Sequence, residues 1–158
     1  MAHRRSREQK YAFDKVFTFQ SIHTIYDQTV KQLIKPIMSG YNGCVFAYGA
    51  TGTGKTHTML GNRTTDGLCI LALKDIYSIA NQECFRDSKF HIRVCYVEIY
   101  NEIIRDLLDP GKVTNYIELR DDQNKGMELA GVTEIEVSNE KEVAYIHVDN
   151  KSASSRQP

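Results

Sequence analysis

The stretch GYNGCVFAYGATGTGKTHTMLG, residues 40–61, decides the fold. Within it, residues 49–56 read Gly-x-x-x-x-Gly-Lys-Thr, the pattern of a phosphate-binding P-loop. The apolar run CVFAY (44–48) precedes the loop and predicts a short strand buried on both faces, and a helix is predicted to follow. This order favours phosphate binding, because the glycines let consecutive backbone N–H groups turn toward phosphate oxygens. A glycine-rich turn without a ligand is the alternative interpretation.

The loop assigns roles to particular side chains. Lys55 is placed to reach the β- and γ-phosphates of a nucleotide, and the Thr56 hydroxyl to ligate Mg²⁺. A P-loop alone names no substrate. No apolar strand ends in an evident Mg²⁺-binding Asp, since IIRD (103–106) is interpreted as a helical face, and Asn150-Lys151-Ser152-Ala153 lacks the Asp of a guanine-specificity motif. The predicted nucleotide-binding residues of the loop are Gly49, Ala50, Thr51, Gly52, Thr53, Gly54, Lys55 and Thr56.

Composition excludes several classes of protein. The 158 residues are 41% hydrophobic and 25% charged, which is an ordinary globular mixture. Formal net charge is zero, which argues against a basic nucleic-acid-binding protein. The longest apolar runs are far shorter than a membrane span, so no membrane association is expected. The four cysteines form no Cys-x-x-Cys pair, so neither a zinc site nor a redox motif is predicted, and buried free thiols are expected.

Secondary-structure patterns alternate along the chain and predict the α/β class. A helix is expected from the N-cap Ser21 to Ile37, with Pro36 loosening its last turn. Asn124-Lys125-Gly126 marks the turn of a hairpin, and Asn139 with Glu142 resembles a capping box before a short helix at 140–147. The remaining expectations are strands at 11–19 and 91–100, helices at 68–80 and 101–108, and short strands within 116–137.

Residues 11–147 are expected to form one domain, because neither an internal repeat nor a dividing linker is present. Residues 1–10 form a basic N-terminal extension. Residues 148–158 form a polar tail that is expected to be disordered.

Four segments in the correct order resemble the kinesin motor domain. The run YNG-x-x-FAYG-x-T-x-x-GKTHTM (41–59) is far more specific than the P-loop alone. YVEIYNEIIRDLL (96–108) is similar to the family's fourth-strand signature, FDKVF (13–17) to the segment before its first long helix, and ELRDDQNKGMELAGVTE (118–134) to its fifth-strand hairpin. The resemblance covers about residues 11–146. It implies an α/β P-loop NTPase fold of kinesin type, with a central sheet flanked by helices.

The resemblance implies an ATP-binding, microtubule-based motor located in the cytoplasm on the cytoskeleton, with ATP and Mg²⁺ as ligands and tubulin as partner. It places His57 against the adenine, although a helix-surface histidine is the alternative. Arg120 and Lys125 of the hairpin are candidates for microtubule contact, and a solvated charge is the alternative for each. Ala50-Thr51 and Met59-Leu60-Gly61 are most similar to the kinesin-eight class and its ciliary relatives.

The family's other motifs are not intact in these 158 residues. Ser154-Ser155-Arg156 starts like the first switch but continues with Gln157-Pro158, and Glu128–Gly131 is similar to the second switch but lies in the hairpin region. The family's N-terminal Arg-x-Arg-Pro strand and its main microtubule-binding helix are also missing. The sequence is therefore interpreted as roughly the N-terminal half of a motor domain, with no intact catalytic residue, weakened microtubule binding and ATP bound without appreciable turnover. The alternatives are a non-hydrolysing nucleotide- or tubulin-binding fragment and a different P-loop enzyme, such as a small-molecule kinase.

Overall fold

Four helices and six short strands make up the part of the chain that the structure, a computed structural model, describes. That part comprises residues 9–62, 64–82, 90–109, 111, 117–123, 126–139 and 142. The helices are α1 (Ile22–Gln28), α2 (Lys31–Met38), α3 (Lys55–Leu60) and α4 (Leu68–Ala80). The strands are β1 (Arg93–Val94), β2 (Val97–Tyr100), β3 (Ile103–Asp106), β4 (Glu118–Asp122), β5 (Gly126–Ala130) and β6 (Ile135–Glu136).

The predicted first helix is present but divided in two. Ser21 is its N-cap as predicted, since its Oγ accepts a hydrogen bond from the Thr24 amide at 3.3 Å. The division falls at Thr29, where the backbone leaves the helical region and the Thr29 hydroxyl donates to the Ile25 carbonyl at 2.6 Å. Pro36 lies inside α2, so the interruption predicted there occurs two turns earlier.

Helices α1, α2 and α4 bury a common core. Helix α4 has the predicted bounds, and its Leu68 and Leu71 are buried in one cluster with residues of α1 and with Val30, the N-cap of α2. The Tyr26 hydroxyl donates to Asp75 of α4 at 2.7 Å, and burial together with this carboxylate raises the pKa of Tyr26. The buried cluster consists of Ile22, Tyr26, Val30, Leu68 and Leu71, with Ile25, Met59 and Ala72 packed against it.

Strand pairing among the described residues is antiparallel and gives three two-stranded sheets, β1 with β6, β2 with β3 and β4 with β5. The predicted hairpin is confirmed, since β4 and β5 pair from Glu118 opposite Ala130 to Asp122 opposite Gly126. Two residues of its predicted turn, Asn124 and Lys125, lie outside the described residues. The predicted strand at 91–100 is present as β1 and β2, with an interruption at Cys95 and Tyr96.

The helix predicted at 101–108 is wrong. Residues Ile103–Asp106 form β3, which pairs along its length with β2, and Asn101 and Glu102 make the turn with φ of 49° and 63°. The apolar spacing in this segment suits a helix as well as a strand, and the pairing with β2 decides between them. Tertiary contact therefore overrides the local pattern.

Asp106 ties the β2–β3 hairpin to the segment before β6. Its side chain is buried, and its Oδ2 accepts a hydrogen bond from the Thr133 amide at 2.7 Å, while Oδ1 accepts from the amides of Leu108 at 2.9 Å and Asp109 at 3.3 Å. Burial alone would raise the pKa of this carboxyl, but the hydrogen bonds from Thr133, Leu108 and Asp109 hold the pKa below its ordinary value. Asp106 is therefore a charged anchor in the strand region.

The strands predicted at 11–19 and 44–48 are wrong, because neither segment forms a strand in the structure. Both segments expose large apolar side chains, with Phe46 81% and Tyr48 94% exposed. A strand buried on both faces needs paired neighbours at its edges and layers above and below it. Among the described residues no strand pairs with either segment.

Three smaller expectations have mixed outcomes. The N-cap bond of the predicted capping box is present, since the Glu142 amide donates to Asn139 Oδ1 at 3.2 Å, and Glu142 Oε2 accepts from the amide of the preceding residue, Ser138, at 2.8 Å. The helix predicted after it lies almost entirely outside the described residues.

Cys44 and Cys95 are exposed rather than buried, and Cys84 lies outside the described residues. In the described ranges, no helix is long and apolar enough to cross a membrane.

Candidate nucleotide-binding site

The glycine loop leads directly into α3. Gly54 is the N-cap of this helix with φ of +92°, and Gly52 has φ of +84°. A Cβ added to either glycine would meet nothing within 4 Å, so the requirement for glycine comes from backbone conformation and not from crowding. At Gly49 the situation differs, because a Cβ there would lie 2.9 Å from Thr53 Oγ1. The loop is therefore closed at Gly49 and open beside Gly52 and Gly54.

Lys55 folds back over the loop. Its ammonium donates to the carbonyl oxygens of Gly49 at 2.9 Å and Ala50 at 2.7 Å. The Ala50 carbonyl also accepts a hydrogen bond from the Thr53 hydroxyl at 2.8 Å. This oxygen near the start of the loop is therefore bonded to two residues near its end. An ammonium group carries three N–H donors, and these two carbonyls use two of them. The positive charge is thus held over the loop with capacity for a further acceptor.

The other predicted site residues lie beside this lysine. Thr51 is exposed within the loop, and Thr56 and His57 are exposed in the first turn of α3. The structure thus brings the predicted residues 49–57 together in one loop and helix turn. The predicted buried strand before the loop is not formed, so the strand–loop–helix setting exists only on its helical side.

The connection between α3 and α4, residues 61, 62 and 64–67, is ordered by close backbone contacts and side-chain hydrogen bonds. Gly61 and Gly67 are both buried and meet at the junction of α3 and α4. Asn62 Oδ1 accepts three hydrogen bonds, from the Thr64 amide and hydroxyl, each at 2.9 Å, and from the Thr65 amide at 2.8 Å. The pattern Gly-Asn-x-Thr-Thr-x-Gly at 61–67 is the signal that could have indicated this turn.

The described candidate for microtubule contact in the hairpin, Arg120, has a partner of its own. Arg120 lies in β4 and contacts Glu118 Oε2 through Nε at 3.1 Å and Nη2 at 3.0 Å. The segment similar to the second switch, Glu128–Gly131, lies in and just after β5, which confirms its predicted position in the hairpin. Lys125 and the Ser154-Ser155-Arg156 segment lie outside the described residues.

Comparison with known protein sequences gives one consistent family. The family model described as the kinesin motor domain matches residues 1–157. The chain is 41% identical over 155 residues to the kinesin-like protein KIF19 of Homo sapiens, covering 98% of this chain and 15% of that protein. It is 38% identical over 133 residues to the kinesin-like protein KIN-8B of Arabidopsis thaliana, covering 84% of this chain and 16% of that protein. These two relatives support the expected similarity to the kinesin-eight class.

A solved structure agrees with the sequence relatives. The chain is similar to the structure titled "Structure of a fast kinesin: Implications for ATPase mechanism and interactions with microtubules", with a TM-score of 0.81 and 32% identity over 92% of this chain. The match covers 42% of that solved chain, so the chain spans less than half the length of the proteins that it matches. The likeness confirms the predicted P-loop NTPase fold of kinesin type. Sequence, glycine loop and overall likeness together show that this chain belongs to the kinesin motor domain family.

Proposed function

We propose that this chain binds Mg-ATP through residues 49–56 as the nucleotide-holding part of a microtubule-based motor. The observation that carries the proposal is the position of the Lys55 ammonium, 2.9 Å from the Gly49 carbonyl oxygen and 2.7 Å from that of Ala50. This places a positive charge over a glycine loop of the P-loop pattern in a chain of the kinesin family. Phosphate oxygens are strong acceptors for such a charge.

The residues present fit a nucleotide with its metal ion. Gly52 and Gly54 have open space beside their Cα atoms, which lets a triphosphate approach the backbone closely. Lys55 supplies charge for the β- and γ-phosphates, and Thr56 supplies a hydroxyl ligand for Mg²⁺. His57, exposed in the first turn of α3, is proposed to pack against the adenine. ATP with bound Mg²⁺ supplies the phosphoryl chemistry, and the chain's residues bind and orient it.

For these 158 residues alone we propose nucleotide binding without appreciable turnover. Hydrolysis needs a group that positions the attacking water as well as charge stabilisation on the γ-phosphate. Neither family switch is intact in the sequence. Binding that stabilises the ground state and the transition state equally does not accelerate the reaction.

Microtubules are the proposed partner and the cytoplasmic cytoskeleton the proposed location. The supporting observations are the family match and the hairpin β4–β5, which resembles the family's fifth-strand hairpin and is proposed to face the microtubule. Arg120 already pairs with Glu118, so its guanidinium would have to exchange that carboxylate for an acidic residue of tubulin. The contact is therefore proposed to be weak.

A calorimetric titration of the full 158-residue chain with Mg-ATP tests the binding. Replacing Lys55 with Ala removes the charge over the loop, and we expect ATP affinity to fall by at least about a factor of ten. Lys35→Ala is the matched control, because it removes the same charge from an exposed position in α2. Equal ATP affinity of the Lys55→Ala variant and the wild-type chain would refute the proposed site.

A phosphate-release assay with and without polymerised tubulin tests the lack of turnover. We expect no release above the uncatalysed rate in either condition. Tubulin-stimulated release that is lost in the Thr56→Ala variant would refute the proposal and show a working motor core.

A further inference from the structure

We propose that the turn formed by residues 61, 62 and 64–67, here named the glycine clasp and buried at its two glycines, positions Lys55 and Thr56 for the nucleotide phosphates. The inference rests on the proposed function of the loop at 49–56. It assigns positioning roles to Gly61, Asn62 and Gly67, which neither the P-loop pattern nor the family resemblance provides.

The backbones of Gly61 and Gly67 lie in very close contact. A Cβ on Gly61 would come within 2.5 Å of the Gly67 nitrogen, and a Cβ on Gly67 would lie 2.5 Å from the Met59 carbonyl oxygen. Both are far closer than real Cβ atoms approach. Gly61 also has φ of +80°, which side chains disfavour. The close contact therefore depends on glycine at both positions.

Hydrogen bonds and an ion pair of the neighbouring residues stabilise the close approach of Gly61 and Gly67. The Asn62 amide donates to the Thr65 carbonyl at 2.8 Å, and the Asn62 side chain accepts the three hydrogen bonds from Thr64 and Thr65 described above. Asp66 pairs with Lys74 of α4 at 2.6 Å. The turn is thus fixed on itself and on the neighbouring helix.

The clasp joins the short helix of the site to the long helix of the core. Gly61 is the C-cap of α3 and its amide donates to the His57 carbonyl at 2.9 Å. Gly67 is the N-cap of α4, and its carbonyl accepts from the Leu71 amide at 3.1 Å. Since Leu71 is part of the buried cluster, a continuous line of contacts runs from the core to the helix that carries Lys55.

Helix α3 packs directly against α4, which is the one helix or strand with which it shares several contacts among the described residues. It is six residues long, none of them is buried, and within the described residues Met59 is its member packed against the core. On the other side of the loop, residues 41–48 form no helix or strand. The orientation of Lys55 and Thr56 is therefore set from the C-terminal side of α3, through Met59 and the clasp.

Asn62 gives the sharpest test, because its side chain is exposed and its role depends on one acceptor oxygen. We expect Asn62→Ala to weaken ATP binding by about tenfold in calorimetry. Asn62→Asp keeps an oxygen for the same three donors, and we expect it to bind ATP as the wild-type chain does. Asn42→Ala is the matched control, an exposed asparagine on the opposite flank of the loop, and should leave ATP affinity unchanged.

Hydrogen exchange supplies a second measurement on the same variants. The Thr58 amide bonds to the Gly54 carbonyl and the Gly61 amide to that of His57, each at 2.9 Å. We expect both amides to exchange faster in Asn62→Ala while the Ile76 amide, in the middle of α4 and away from the clasp, is unaffected. A merely structural loss would accelerate exchange at all three positions, and that result would overturn the inference.

The outcomes separate this inference from the proposed function. Wild-type ATP affinity in Asn62→Ala, together with lost affinity in Lys55→Ala, would overturn the clasp and leave the nucleotide site standing. Equal weakening by Asn62→Ala and Asn62→Asp would also overturn it, because the acceptor oxygen would then not be the cause. A wild-type chain that does not bind ATP would refute both.

Discussion

The helical region and the strand region of this chain differ in how they bury their apolar residues. In α1, α2 and α4, Tyr26 is 4% exposed and Ile34 is 2% exposed. In the β2–β3 hairpin, Ile99 is 67% exposed and Tyr100 is 63% exposed, although both are as apolar as the residues of the helical core. The two regions therefore differ in the partners available to them and not in the hydrophobicity of their side chains.

The difference follows from where each element finds its hydrogen bonds and its cover. A helix satisfies its interior backbone groups within itself, and an amphipathic pair joined by a short turn covers its own apolar stripe. A strand must pair with another chain segment, and each face of its sheet needs a layer over it. In this chain the helices meet that condition locally, while the described strands pair only in twos.

The strongest test of this contrast replaces one large apolar residue in each region. Leu71→Ala removes a buried side chain of the helical core, and we expect the free energy of unfolding to fall by about 2–5 kcal/mol. Phe46→Ala, at an 81% exposed position, should change it by less than about 0.5 kcal/mol. Urea denaturation followed by circular dichroism measures both. A larger loss from Phe46→Ala than from Leu71→Ala would show that the exposed segment is covered in solution.

The second test concerns the charged anchor of the strand region. Asp106→Asn places an N–H₂ group where carboxylate oxygens accept from three backbone amides, and we expect a loss of about 1–3 kcal/mol. Chemical denaturation at neutral pH measures the change. Asp121→Asn, in an exposed position of β4, is the matched control. Equal stability of the two variants would show that the anchor does not hold the hairpin.

The dependence of stability on acidic pH is a further test of the Asp106 anchor. The pKa of Asp106 is lower in the folded chain than its ordinary value, so its contribution is fully present above the ordinary carboxyl range and is lost as pH falls through the folded-state pKa. We expect the wild-type chain to lose more stability between about pH 5 and pH 2 than Asp106→Asn does. Parallel acid-limb slopes for the two proteins would contradict the assignment.

The smallest expected effect lies at the turn of the β2–β3 hairpin. Glu102 has φ of 63°, a conformation that costs a residue with a side chain about 1–2 kcal/mol. Glu102→Gly should therefore stabilise the chain, by about 0.5–1 kcal/mol once the added freedom of the unfolded chain is included. Thermal denaturation measures the shift. Glu118→Gly, within strand β4, is the control and should destabilise the chain.

Much of the site and the helical half could be predicted from the sequence. The nine residues from Gly49 to His57 are local in the chain, and their glycines and lysine act on neighbouring backbone atoms, so a motif is sufficient to identify them. Helix α4 has its predicted bounds and Ser21 is the predicted N-cap, because capping and amphipathic spacing are properties of a few consecutive residues.

Tertiary structure decided the rest, through contacts between separate segments or through their absence. Ile103–Asp106 became a strand because it pairs with β2 and because the Asp106 carboxylate reaches Thr133, 27 residues away. The segment at 44–48 has the composition of a buried strand but pairs with no described strand and stays exposed. The glycine clasp was missed for a different reason, since its two glycines are close in sequence but matter through the close approach of their backbones in space. Local chemistry thus determined which residues form the candidate phosphate loop, and packing between separate segments determined how the rest of the described chain folds around it.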